Sequence, residues 1–180
     1  MLYVLHVGIE AGVGGWEPIH LVTVGYGAGA AATATSAYWL MMPSAGSWSR
    51  PSPQAFITVS CPGMTVCLFA AAVPAPAPAP YAYAGVGLFV APIFPTALPW
   101  LLEVAPQARR ASALVIAASM VGGVAAGPAL GKVVERAGIR AVPLLLAAVS
   151  LLCLAATLRL ISATRTSTDP ASEAEGLARR

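Results

Sequence analysis

Residues 141–161 read "AVPLLLAAVSLLCLAATLRLI", an apolar run in which the first charge is Arg159. A soluble surface helix of this length would carry charges along one face, and this run has none before its last turn. At 1.5 Å rise per residue it is long enough to cross the hydrocarbon of a bilayer.

The rest of the chain repeats the pattern. Of 180 residues, 58% are hydrophobic and 9% charged, whereas an ordinary soluble domain carries roughly 25% charged residues. No charge lies between Glu17 and Arg50, between Arg50 and Glu103, or between Arg110 and Lys132. Six spans are expected, at about 2–22, 27–46, 55–73, 81–102, 110–131 and 141–161. All should be helices, because an isolated strand leaves its backbone groups unpaired in hydrocarbon. The expected fold class is an all-α membrane protein, a six-helix transmembrane bundle over 1–161 followed by a disordered polar tail over 162–180.

The connectors "EPIH", "PSAGSWSRPSP", "VPAPAPAP", "EVAPQARR" and "KVVERAGIR" hold the prolines, glycines and charges that end helices. The Pro-Ala stretch from Val73 to Pro80 is expected to form a short polyproline II turn. The N-terminus lacks the basic region and small-residue cleavage site of a signal peptide, so the first run reads as a retained span.

A net charge of +3 and a pI near 9.0 would suggest a nucleic-acid partner in a soluble protein. Here the basic residues sit between apolar runs and read as topology signals, so no nucleic acid is expected. Six spans put both termini on one side, together with Arg50, Arg109, Arg110, Arg159, Arg165, Arg179 and Arg180; Lys132, Arg136 and Arg140 fall on the other. Enrichment of Lys and Arg in cytoplasmic loops then places both termini of a multi-pass cell-membrane protein inside. The cluster in "GKVVERAGIR" argues the other way, partly offset by Glu135.

Cys61, Cys67 and Cys153 show no metal-ligand or redox spacing and read as free thiols in apolar surroundings. There is no phosphate loop, dinucleotide fingerprint, metal cluster or supported Ser-His-Asp arrangement. No catalytic residue, metal or cofactor is therefore expected, and an enzyme is disfavoured.

The candidate chemistry lies in the first, fourth and fifth spans. Taking 100° per residue, His6, Glu10, Glu17 and His20 fall within about 80° of one another around the first helix. Ionisable groups at membrane depth usually face a bundle interior or a water-filled cavity and mark solute or proton pathways. His6 and Glu10, at i and i+4, can share a proton or hydrogen bond; the competing reading is that Glu10 is neutral and bonded to a neighbouring helix, with Glu17 and His20 at the interface. In the fourth span, "GLFVAPIFPTALPW" sets Pro92, Pro95 and Pro99 inside an apolar run, which frees carbonyls near Leu88 and Ala91. Interrupted helices point to transporter binding sites, with Phe94 and Thr96 as contact candidates, although a structural kink explains the prolines equally. In the fifth span Gly123, Gly127 and Gly131 repeat at spacing four, a small-residue face suited to close helix packing.

Four segments, "VGIEAGVGGW", "ATATSAYWL", "GLFVAPIFPTALPWL" and "VGGVAAGPALGKVVERAGIRAVPLLLA", together resemble helices seven, eight, ten, eleven and twelve of a major facilitator superfamily transporter. The similarity, over about residues 3–161, is to the sugar-transporter branch that includes fucose/proton symporters. It implies one six-helix half of a two-half fold that holds a small polar solute, such as a sugar, between the halves and exposes it alternately to each side, with protons as candidate coupling ion. It also implies that Glu10 and Trp16 face the central cavity, joined by Phe94, Thr96 and Tyr38, with Trp16 as a platform for a sugar ring or, alternatively, an interfacial anchor. The loop "PSAGSWSRPSP" keeps only a trace of the family's glycine-and-arginine motif. Only one half is represented, so the expected partners are the lipid bilayer, the solute, and a second half-transporter chain or a second copy. The alternative is a truncated or non-transporting membrane protein that acts through helix–helix association.

Overall fold

A computed structural model describes residues 1–44, 53–75, 77–104 and 112–166. It contains α1 (Leu2–Thr23), α2 (Ala28–Ser44), α3 (Pro53–Ala72), α4 (Ala79–Val90), α5 (Ile93–Val104), α6 (Ser112–Ala137) and α7 (Val142–Thr166), with a 3₁₀ turn at Ile139–Ala141 before α7. Among the described residues there is no strand.

Three stretches, Ala55–Ala72, Ala113–Ala137 and Ile139–Ser162, are long and apolar enough to cross a membrane. They coincide with the expected third, fifth and sixth spans and give the chain the character of a membrane protein. The other three differ for identifiable reasons. α1 has 22 residues but carries His6, Glu10, Glu17 and His20, which lower its hydropathy. α2 has 17 residues, and the fourth span is divided between α4 and α5, of 12 residues each.

That division falls at Ala91–Pro92. Proline at 92 has no N–H to return to the Leu88 carbonyl, and its ring crowds the preceding turn. The Ala91 N–H bonds the Gly87 carbonyl at 3.3 Å and the Thr96 N–H bonds the Pro92 carbonyl at 3.2 Å, so regular bonding stops before Pro92 and restarts from it. Pro99 by contrast sits within α5.

The expected polyproline turn is corrected at its end. Pro78 has helical dihedrals (φ −79°, ψ −22°), and its carbonyl accepts the Ala82 N–H at 2.9 Å, so helix begins before Tyr81. Proline's fixed φ suits a helix start, where its missing N–H costs nothing. The fifth span also runs past 131: Lys132, Glu135 and Arg136 lie on α6, which ends only at Gly138, whose φ of +80° is costly for any residue with a Cβ. α1 stops similarly, with Gly25 at φ +110° and the Tyr26 N–H closing on the Leu21 carbonyl at 3.0 Å. α7 extends to Thr166. The remainder of the tail, and the connectors holding Arg50, Arg109 and Arg110, lie outside the described residues.

α1 is the central helix, touching α2, α4, α5, α6 and α7, while α3 packs between α4 and α7. α6 packs chiefly on α1 and barely meets α7. The buried centre includes Ile9, Val13, Leu21, Tyr38, Ile57, Leu68, Tyr83, Val86 and Ile93. With no hydrophobic drive between helices in lipid, close backbone approach and interhelical hydrogen bonds hold such a bundle together. Both occur here. A Cβ on Gly122 would run into the Val4 carbonyl, and the Thr65 and Ser150 hydroxyls bond at 2.7 Å between α3 and α7. The expected glycine face is only partly used: Gly123 abuts Val7 and Gly131 approaches Trp16, whereas Gly127 meets open space. The tightest contact falls one residue before Gly123.

Candidate functional site

The polar stripe on α1 divides into two places. At the first, His6 and Glu10 border a cleft of about 490 Å³ whose other walls are Val7, Met42, Ala91, Phe94 and Met120. Thus α1, the end of α2, the α4–α5 break, the start of α5 and the middle of α6 all meet there. The interruption at Pro92 matters because it aims Phe94 back at α1. Its ring stacks edge-on against Tyr3 at 5.5 Å and lies 6.4 Å from His6.

His6 is buried, at 2% side-chain exposure, while Glu10 keeps 33% and opens to the cleft. Their closest atoms, His6 Nε2 and Glu10 Oε2, are 3.9 Å apart, too far for a direct hydrogen bond but spanned by one hydroxyl or water. His6 Nδ1 has no hydrogen-bond partner among the described residues. A carboxylate and an imidazole nitrogen on one wall, faced by an aromatic ring and two adaptable methionines, can bind a small molecule that has both hydroxyl groups and an apolar face.

The remaining candidates are dispersed. Tyr38 is fully buried behind the site, where its hydroxyl donates to the Glu10 backbone carbonyl at 3.2 Å. It supports the turn that carries Glu10 rather than lining the cleft. Trp16 lies six residues beyond Glu10, on another side of α1, with Cζ2 facing Gly131 of α6. Thr96 is half-buried and Pro95 and Pro99 are exposed, and none of them borders the cleft, whereas Pro92 is buried at the break. The cleft walls missed in the sequence include Val7, Met42 and Met120, apolar residues in apolar runs with no pattern to mark them.

The second place lies farther along α1. Glu17 and His20 are buried, at 1% and 2% exposure, so both side chains are turned into the bundle. His20 Nδ1 lies 3.1 Å from the Tyr83 hydroxyl of α4, with the two rings edge-to-face at 5.8 Å. Neither Glu17 carboxyl oxygen has a hydrogen-bond partner among the described residues. Those residues also contain no group of three His, Cys, Asp or Glu side chains able to hold a metal ion.

Compared with known protein families, curated proteins and solved structures, the chain matches none.

Proposed function

We propose that the chain is one half of a secondary transporter of the major facilitator type, which moves a small polar solute, such as a sugar, across the cell membrane by alternating access. The observation that carries this reading is the cleft itself: a half-exposed carboxylate on the central helix, opposite an aromatic ring delivered by a helix broken at proline. In membrane transporters interrupted helices and ionisable groups converge on the solute site. Glu10 accepts hydrogen bonds from solute hydroxyls, Phe94 covers an apolar face of the ring, and His6 shares a proton with Glu10. α1, α2 and the α4–α5 pair serve as spans alongside the three apolar helices, both termini lie in the cytoplasm, and a facing half, from a longer chain or a second one, supplies the opposite wall.

Uptake into proteoliposomes tests the proposal, with the chain reconstituted alone or with a candidate facing half and assayed against labelled sugars under a proton gradient. Glu10→Gln should lower uptake or flatten its pH dependence while membrane expression is kept. Unchanged uptake across pH sinks the role of Glu10, and no uptake of any polar solute in either format sinks the transport reading.

A further inference from the structure

The cleft leaves unexplained one costly group, the Glu17 side chain. A carboxylate sealed from water without a hydrogen bond forfeits its solvation and gains nothing in return. Glu17 lies about 10 Å along the helix from Glu10, on the same face, but has 1% exposure where Glu10 is open. Tyr38 from α2 and Tyr83 from α4 are both within electrostatic reach of Glu17. His20, one turn on, holds the Tyr83 hydroxyl and in turn feels Arg140 from the 3₁₀ turn. Lys132, Glu135 and Arg136 of α6 are exposed, and Arg159 of α7 lies near Met1, at the opposite end of α1. On α5 the titratable residue is Glu103, one residue before the helix ends.

We propose that Glu17 is the proton-holding group of a second, occluded site on α1, loaded and emptied through His20, with Tyr83 fixing the imidazole. Glu17 takes a proton on one carboxyl oxygen and becomes neutral; neither oxygen bonds His20 at rest, so the proton passes to His20, three residues along the same helix, when a side-chain rotation brings the carboxyl onto the imidazole. The Tyr83 hydroxyl stays on Nδ1, which leaves Nε2 as the exchanging nitrogen. α1 then carries one open acid–imidazole pair, His6 with Glu10, and one closed acid, Glu17, with an imidazole, His20, three residues on. The proposal shares with the transport reading the placement of α1 in the membrane but needs no solute.

Infrared difference spectroscopy of the full chain in lipid bilayers, cycled in pH and exchanged into D₂O, tests this directly. The expected result is a protonated-carboxyl band that responds to pH, exchanges deuterium slowly, and is lost in Glu17→Gln. A second, rapidly exchanging band should be lost in Glu10→Gln. Glu17→Asp should shift the slow band rather than remove it, which keeps the assignment if the glutamine variant fails to fold. His20→Ala should slow the response of the Glu17 band while leaving it present. Three results overturn the proposal: an unchanged spectrum in folded Glu17→Gln, a Glu17 band that never responds to pH, or one that exchanges as fast as that of Glu10. Retention of the slow band with no solute uptake would defeat the transport reading and leave this one standing.

Discussion

The hydroxyl of Tyr38 donates to the backbone carbonyl of Glu10 at 3.2 Å, tying α2 to the turn of α1 that carries the cleft carboxylate. Tyr38 is fully buried and its ring meets Trp39 edge-on at 5.2 Å. Tyr38→Phe keeps the packing and removes only the hydroxyl. The expected loss is about 1 kcal/mol, read as a drop of a few degrees in thermal unfolding in detergent. A variant as stable as the parent would mean that this bond carries no weight.

Close approach of α1 and α6 depends on Gly122, where any Cβ would collide with the Val4 carbonyl. Backbone cannot yield as a flexible side chain can, so Gly122→Ala should cost about 1–3 kcal/mol. Gly127, on the same helix, faces open space. Gly127→Ala should be neutral or stabilising by up to about 1 kcal/mol, since alanine is the better helix former. Denaturation of the two variants side by side checks the contrast, and equal losses would refute it.

This pair of glycines also marks how far the sequence could be read. Helices, their breaks and the adjacency of His6 and Glu10 follow from local rules: apolar length, the missing N–H of Pro92, and spacing of four along one helix. The rotation of the apolar helices against their neighbours does not, because an all-apolar surface has no polar face to orient it in lipid, and the polar stripe of α1 does not say which helix meets its other faces. Hence Gly122 rather than Gly127 meets α1, Trp16 points to α6 instead of the cleft, and Tyr38 lies beneath the site. Tyr83 belonged to no motif, and its bond to His20 joins residues far apart in the chain. Neither could be read without the packing.

The Thr65–Ser150 pair offers a measurement inside the apolar half of the bundle. The Ser150 hydroxyl lies 2.7 Å from the Thr65 hydroxyl and 3.2 Å from the Cys61 carbonyl, both on α3, and donates its one hydrogen to either of them. Thr65 keeps its bond to the Cys61 carbonyl at 2.9 Å when Ser150 is removed, so no hydroxyl is left without a partner. Ser150→Ala should therefore cost only about 0.6 kcal/mol, the usual worth of such bonds between membrane helices. A loss of several kcal/mol in unfolding would show that the two helices depend on this seam far more than its geometry indicates.

The break between α4 and α5 is the last feature that one substitution can question. Pro92→Ala restores an N–H able to reach the Leu88 carbonyl and removes the ring that crowds the preceding turn. Interior proline costs a helix about 3 kcal/mol relative to alanine, though Pro95 still interrupts the next turn, so only part of that is recoverable. The variant should unfold at higher temperature than the parent. Straightening the helix would also swing Phe94 away from Tyr3 and His6 and alter the cleft around Glu10. A cysteine introduced as Glu10→Cys reports this change: its alkylation rate by a water-soluble reagent should differ between Pro92 and Pro92→Ala backgrounds. Stabilisation with an unchanged rate would mean that Pro92 breaks the helix without shaping the cleft, and would remove the link between the kink and the site.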